Sequence, residues 1–192
     1  MDRAVFFSPL TLGSLKLQHR IVLAPLTRLR ASDDLVPCDK ALEYYTQRAT
    51  PGGLLITEAT PISPETPFAW APGIFTDAQE KAWKRIANGV HDKGGLISMQ
   101  LWHIGSWAHP SWSELPIIKS FNGKPGVSAS AVPIPIGAVP EYPSMQQVPQ
   151  AIPRPLEARE IPRVVNDYRD AATRAKRGKC LFCILPMLLS FI

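Results

Sequence analysis

A chain of 192 residues, 45% of them hydrophobic and 19% charged, has the composition of a soluble globular domain and is long enough to bury one sizeable core. The formal charge of +5 is spread among acidic residues with no basic block of the kind that grips a phosphate backbone, so nucleic-acid binding is not expected. Three cysteines, Cys38, Cys180 and Cys183, are too few for a disulfide scaffold, and Met1-Asp2-Arg3-Ala4 opens no signal-like segment, so the expectation is a cytoplasmic protein with reduced thiols.

Residues 5–20 read as an entry segment in which Gly13-Ser14 separates two stretches able to pair as a hairpin. Ile21-Val22-Leu23-Ala24 follows as a strand ending at Pro25, and a run apolar on both faces predicts a buried parallel strand. Residues 41–49 have helical composition, with Leu42, Tyr45 and Ala49 spaced to share a face, and Pro51-Gly52-Gly53 ends them. Leu54-Leu55-Ile56-Thr57 is the second buried strand. Thr76-Asp77-Ala78-Gln79 fits a capping box, after which Ala82, Ile86 and Val90 recur at helical spacing until Gly94-Gly95. Residues 96–101 form the third strand.

This alternation of strand and helix, with short glycine-rich joints, predicts βαβ units and an α/β fold with a parallel sheet. Periodicity does not separate a doubly wound sheet from a barrel, although a complete (β/α)₈ barrel usually needs about 250 residues. Ten of the twenty prolines lie between Gly105 and Pro155, which rules out a long regular helix there and leaves a ligand-contacting loop or a surface excursion. Residues 161–177 are again helical, with Pro162 in the first turn and Val164, Val165, Tyr168, Ala172 and Ala175 along one side.

Three segments stand where strands end, the place where α/β barrels collect their chemistry: Ala24-Pro25-Leu26-Thr27-Arg28, Ile56-Thr57-Glu58-Ala59-Thr60 and Met99-Gln100-Leu101-Trp102-His103. Gly52-Gly53 and Gly94-Gly95 precede strands rather than follow them, so they carry no dinucleotide fingerprint. His103 and His109 lack a supporting ligand set, and no metal site is assigned. Glu58 has the chemistry of a general base, but a lone carboxylate at a strand end more often bonds nearby backbone or a basic partner.

Taken together with Phe7-Ser8-Pro9-Leu10, His19-Arg20, Tyr44-Tyr45-Thr46-Gln47-Arg48-Ala49, Ala71-Pro72-Gly73-Ile74 and Trp83-Lys84, these segments resemble the first half of the old yellow enzyme family, which includes the plant oxophytodienoate reductases. The resemblance implies an incomplete TIM (β/α)₈ barrel of about three to four βα units behind an N-terminal hairpin. It implies FMN as cofactor, NADPH as hydride donor and a small-molecule enone, an α,β-unsaturated carbonyl compound, as substrate. By similarity Pro25, Leu26 and Thr27 lie against the flavin, with the Thr27 hydroxyl near its C4 carbonyl. Ala59 lets the backbone approach the ring, Gln100 faces the pyrimidine edge with donor and acceptor, and Trp102 lines the substrate pocket.

The resemblance covers residues 1–177 as the N-terminal part of an FMN-binding barrel and leaves residues 178–192 as an apolar tail outside it. The catalytic pair and proton-donating tyrosine of the family have no counterpart here, so no catalytic residue is assigned and the isolated chain is expected to be inactive. Gly178-Lys179-Cys180 can be encoded by GGT-AAG-TGC, which contains a splice-donor signal, and points to a mis-spliced product. Cys180-Leu181-Phe182-Cys183 has CxxC spacing without a second pair for zinc. The apolar stretch from Cys180 is thirteen residues, too short for stable membrane insertion as a helix. An open part-barrel would expose strand edges and could self-associate through them; the alternative function is a non-catalytic fragment that binds a full-length relative.

Overall fold

The computed structural model describes residues 3–65, 68–120, 126–132, 138–180 and 183–184, the last pair by backbone alone. A 3-10 turn at Arg3–Phe7 leads into a hairpin of β1 (Leu10–Leu12) and β2 (Leu15–Leu17), antiparallel with Leu10 opposite Leu17. The chain reverses at Gly13, whose φ of 57° is a left-handed setting that costs glycine nothing sterically.

β3 (Val22–Leu23), α1 (Asp39–Thr46), β4 (Leu54–Pro61), α2 (Asp77–His91) and β5 (Leu96–Trp102) then alternate as the sequence predicts. Thr76 caps α2 through a complete capping box: its side chain accepts the Gln79 N–H at 3.3 Å, and the Gln79 amide oxygen accepts the Thr76 N–H at 3.1 Å. The helix stops at a turn in which Gly94, at φ 73°, donates to the His91 carbonyl. In α1 the helical expectation reaches three residues too far, because Thr46 turns its hydroxyl back to the Leu42 carbonyl and Gln47 closes the helix.

The proline-rich segment breaks into short pieces. Two 3-10 turns (Gly105–Trp107 and Pro110–Glu114) precede α3 (Pro116–Ser120), a single turn that tolerates Pro116 because its first residue needs no amide donor. β6 (Val127–Ser128), β7 (Ala138–Pro140), β8 (Gln147–Pro149) and β9 (Arg154–Pro155) pair as β6 with β9 and β7 with β8. α4 (Ile161–Arg177) follows, and β10 (Cys183–Ile184) closes the described chain.

The central sheet has the order β10-β5-β4-β3, with every pairing parallel. Alternation in β5 sends Ile97, Met99 and Leu101 to one face, where they pack with Leu55, Trp83, Ile86, Val90, Ala171 and Ala175 beneath the helices. Ser98, Gln100 and Trp102 take the opposite face. A second cluster of Leu35, Phe68, Ile104, Trp112, Leu115 and Ile118 gives the proline-rich segment its own core.

Two expectations need correction. The first strand is not buried on both faces: it has only two residues, Ile21 is 49% and Val22 38% exposed, and among the described residues its outer edge has no neighbouring strand. In α4 Ala175 is buried and Tyr168 and Ala172 pack against the same core, as expected, but Ala171 is buried as well and Val165 is exposed; Arg174 and Arg177 pair with Glu80 of α2. The tail also enters the sheet: after α4, Lys179 adopts φ 64°, Cys180 packs into the core, and the backbone of Cys183 and Ile184 lies parallel to Met99 and Gln100.

Candidate functional site

The site begins with an irregularity in β4. Ile56 pairs with Ser98, but the next partners are Ala59 and Gln100, so β4 spends three steps where β5 spends two. This bulge inserts one extra residue and shifts the side-chain alternation beyond it. Without it Glu58 would stand opposite Gln100. With it Ala59 takes that place, and the smallest side chain of the segment faces the rim beside the Gln100 amide.

Hydroxyl groups repair the ladder that the bulge interrupts. Thr57 Oγ1 accepts the Gln100 N–H at 3.0 Å and donates to the Glu58 carbonyl at 2.9 Å. Thr60 Oγ1 donates to the same carbonyl at 2.8 Å, and the Glu58 N–H donates to the Tyr45 hydroxyl at 2.9 Å. Every backbone group freed by the bulge at Glu58 is thus satisfied inside the protein.

The Glu58 side chain turns toward the segment that leaves β3. Its Oε2 accepts the Arg28 N–H at 2.9 Å, and the residue is only 3% exposed. Burial pushes the carboxyl up to about 7, against the hydrogen bonds from the Arg28 and Leu29 amides and the Arg28 charge, which pull it down. The Arg28 guanidinium stands over the Tyr44 ring at 5.2 Å, and Tyr44 meets Tyr45 edge to face at 5.1 Å. Glu58, Arg28 and Tyr44 also line a cavity of about 250 Å³.

Of the residues singled out in the sequence, Ala59 and Gln100 are direct neighbours across β4 and β5. Thr27 precedes the Arg28 amide that Glu58 holds, so the Pro25-Leu26-Thr27 segment is tied to the residue beside Ala59. Leu26 and Thr27 are exposed, Pro25 and Gln100 half-buried and Ala59 buried. Trp102 shares the face of Gln100 and packs its ring 5.8 Å from Phe68.

The two histidines are structural. His103 is buried, accepts the Gly105 N–H on Nδ1, and is pushed down to about 4 by burial and the Arg163 charge. His109 caps a 3-10 turn by accepting the Ser111 N–H at 3.2 Å. Among the described residues no group of three His, Cys, Asp or Glu is placed to hold a metal, and no helix is long and apolar enough to cross a membrane. The bulge and its hydroxyl partners escaped the sequence reading. The run Thr57-Glu58-Ala59-Thr60 carries no local mark of an inserted residue.

A parallel sheet backed by helices, with polar and small residues collected at the carboxyl ends of its strands, defines an α/β scaffold of the kind that places ligand contacts at those ends. The chain belongs to the NADH:flavin oxidoreductase / NADH oxidase family, whose profile matches residues 5–182. It is 41% identical over 182 residues to 12-oxophytodienoate reductase 7 of Oryza sativa subsp. japonica, covering 90% of this chain and 42% of the relative. It is 42% identical over 174 residues to the flavin oxidoreductase hxnT of Emericella nidulans, covering 88% and 42%. The old yellow enzyme homologue of Zymomonas mobilis superposes with a TM-score of 0.83 at 40% identity, over 94% of this chain and 47% of that structure. Morphinone reductase in complex with tetrahydroNAD gives 0.83 at 42% identity, over 94% and 48%. The chain therefore spans less than half the length of these relatives, and its sheet is an open portion of their TIM barrel.

Proposed function

We propose that the chain supplies part of the flavin bed of an FMN-dependent NAD(P)H oxidoreductase that reduces the alkene of α,β-unsaturated carbonyl compounds. The observation that carries this reading is the register of Ala59 with Gln100, with Glu58 tying the Thr27 segment to the same rim. The donor set fits an isoalloxazine edge: a hydroxyl at Thr27, a side-chain amide at Gln100, and at Ala59 a side chain small enough for close backbone approach. FMN, when bound, supplies the hydride relay between NADPH and the alkene.

In this reading Pro25 and Leu26 cover one side of the ring and exclude water, while Thr27 and Gln100 orient its polar edge. Trp102 lines the substrate pocket above. No residue here is assigned to protonate the alkene, so the 192-residue chain on its own is expected to turn over little or no enone. The exposed edge at β3, with Ile21, Val22 and Phe7 beside it, further supports self-association.

The test is expression of the chain, an absorption spectrum for bound flavin, and NADPH oxidation with an enone. Retained FMN with negligible turnover supports the reading. A colourless protein that takes up no added FMN removes it, and co-purification with a full-length relative in that colourless state favours a non-catalytic fragment.

A further inference from the structure

We propose that Glu58 is a positioning residue: turned aside by the β4 bulge, its carboxyl group holds the backbone amide of Arg28, next to that of Leu29, and so sets where Pro25, Leu26 and Thr27 stand. The inference rests on the flavin-bed reading above for its functional meaning, but the clamp itself is a property of the chain.

Three observations converge on it. First, a buried carboxylate at a strand end normally seeks a cation, yet the Arg28 guanidinium lies over the Tyr44 ring at 5.2 Å and the Arg28 backbone N–H reaches Oε2 at 2.9 Å. The neighbouring Leu29 amide also acts to lower the carboxyl. Second, Leu29 has φ 54°, a left-handed setting that a branched side chain adopts only when its surroundings compel it. Third, Glu58 is anchored at its other end: its N–H is held by Tyr45 and its carbonyl by Thr57 and Thr60. A carboxylate on so fixed a backbone transmits the position of β4 to the segment after β3.

The same geometry argues against a role for Glu58 as a general base. It is 3% exposed and its Oε2 is engaged by the main chain of a neighbouring segment.

The experiment uses the 192-residue chain and the variants Glu58→Met, which keeps the length and removes the acceptor, and Glu58→Gln, which keeps an acceptor oxygen. Amide hydrogen exchange is measured without flavin, and FMN affinity is then titrated by flavin fluorescence. In Glu58→Met the Arg28 and Leu29 amides are expected to exchange about tenfold faster or more, and FMN to bind about tenfold more weakly, while Glu58→Gln stays within about threefold of the parent in both. Unchanged protection in Glu58→Met overturns the clamp, and lost protection with unchanged FMN affinity overturns its positioning role. Should Glu58→Met not fold, the parent chain decides the matter by NMR: the amide protons of Arg28 and Leu29 must follow one common titration with the Glu58 carboxyl, and independent or absent titration overturns the clamp. A parent chain that takes up no FMN defeats the function proposed above, and the exchange data still judge the clamp by themselves.

Discussion

The hydroxyl of Thr57 accepts the backbone N–H of Gln100 at 3.0 Å, taking the place of a ladder carbonyl that the bulge in β4 has moved out of reach. Replacing it with the isosteric Thr57→Val leaves a buried amide unsatisfied. The expected cost is about 1–3 kcal/mol in urea unfolding, with Thr57→Ser close to the parent. A loss in Thr57→Ser with none in Thr57→Val would mean that the methyl group, not the hydroxyl, carries the effect.

Glu58 predicts a pH dependence of stability. Its carboxyl is pushed from an ordinary 4.5 to about 7 in the folded protein. Between those values the folded state keeps a proton that the unfolded state has lost, so this contribution is complete below about 4.5 and disappears as the pH climbs through 7. The difference amounts to at most roughly 3 kcal/mol. Glu58→Gln should flatten the decline of stability between acid and neutral pH, measured as the difference between the two unfolding curves.

Thr27 and Gln100 test the flavin edge separately. Thr27→Val and Gln100→Leu each remove polar groups from the rim while keeping approximate size. Each is expected to weaken FMN binding about tenfold in a fluorescence titration. Normal affinity in both would move the flavin away from this rim.

Trp83 and Trp112 are the largest fully buried side chains among the described residues, and the Trp83 indole N–H donates to the Gly73 carbonyl at 3.0 Å. Trp83→Ala should destabilise the protein by about 3–5 kcal/mol, since both a cavity and an unpartnered carbonyl remain. Trp83→Phe should cost about half of that. Thermal unfolding followed by circular dichroism distinguishes the two.

Helices and strands with a repeated physical cue were legible in the residues. Thr76 and Gln79 announce the start of α2, Gly94 its end, and the alternation of Ile97, Met99 and Leu101 the strand that follows. The convergence of Ala59 and Gln100 came from family resemblance, because strand neighbours far apart in the chain leave no local signal. The bulge was hidden for a related reason. An inserted residue in a strand changes only which side chain faces which side, and Thr57-Glu58-Ala59 reads equally well without it. The exposure of Val22 was also illegible, since an apolar run reports what a strand can bury and not whether a neighbour is present.

Among the described residues the sheet's two margins are unlike: β3 lies at one side and β10 at the other, all strands running the same way. Joining copies therefore follows a head-to-tail rule, in which the margin of one molecule meets the opposite margin of the next. Such stacking either curls shut or grows without limit.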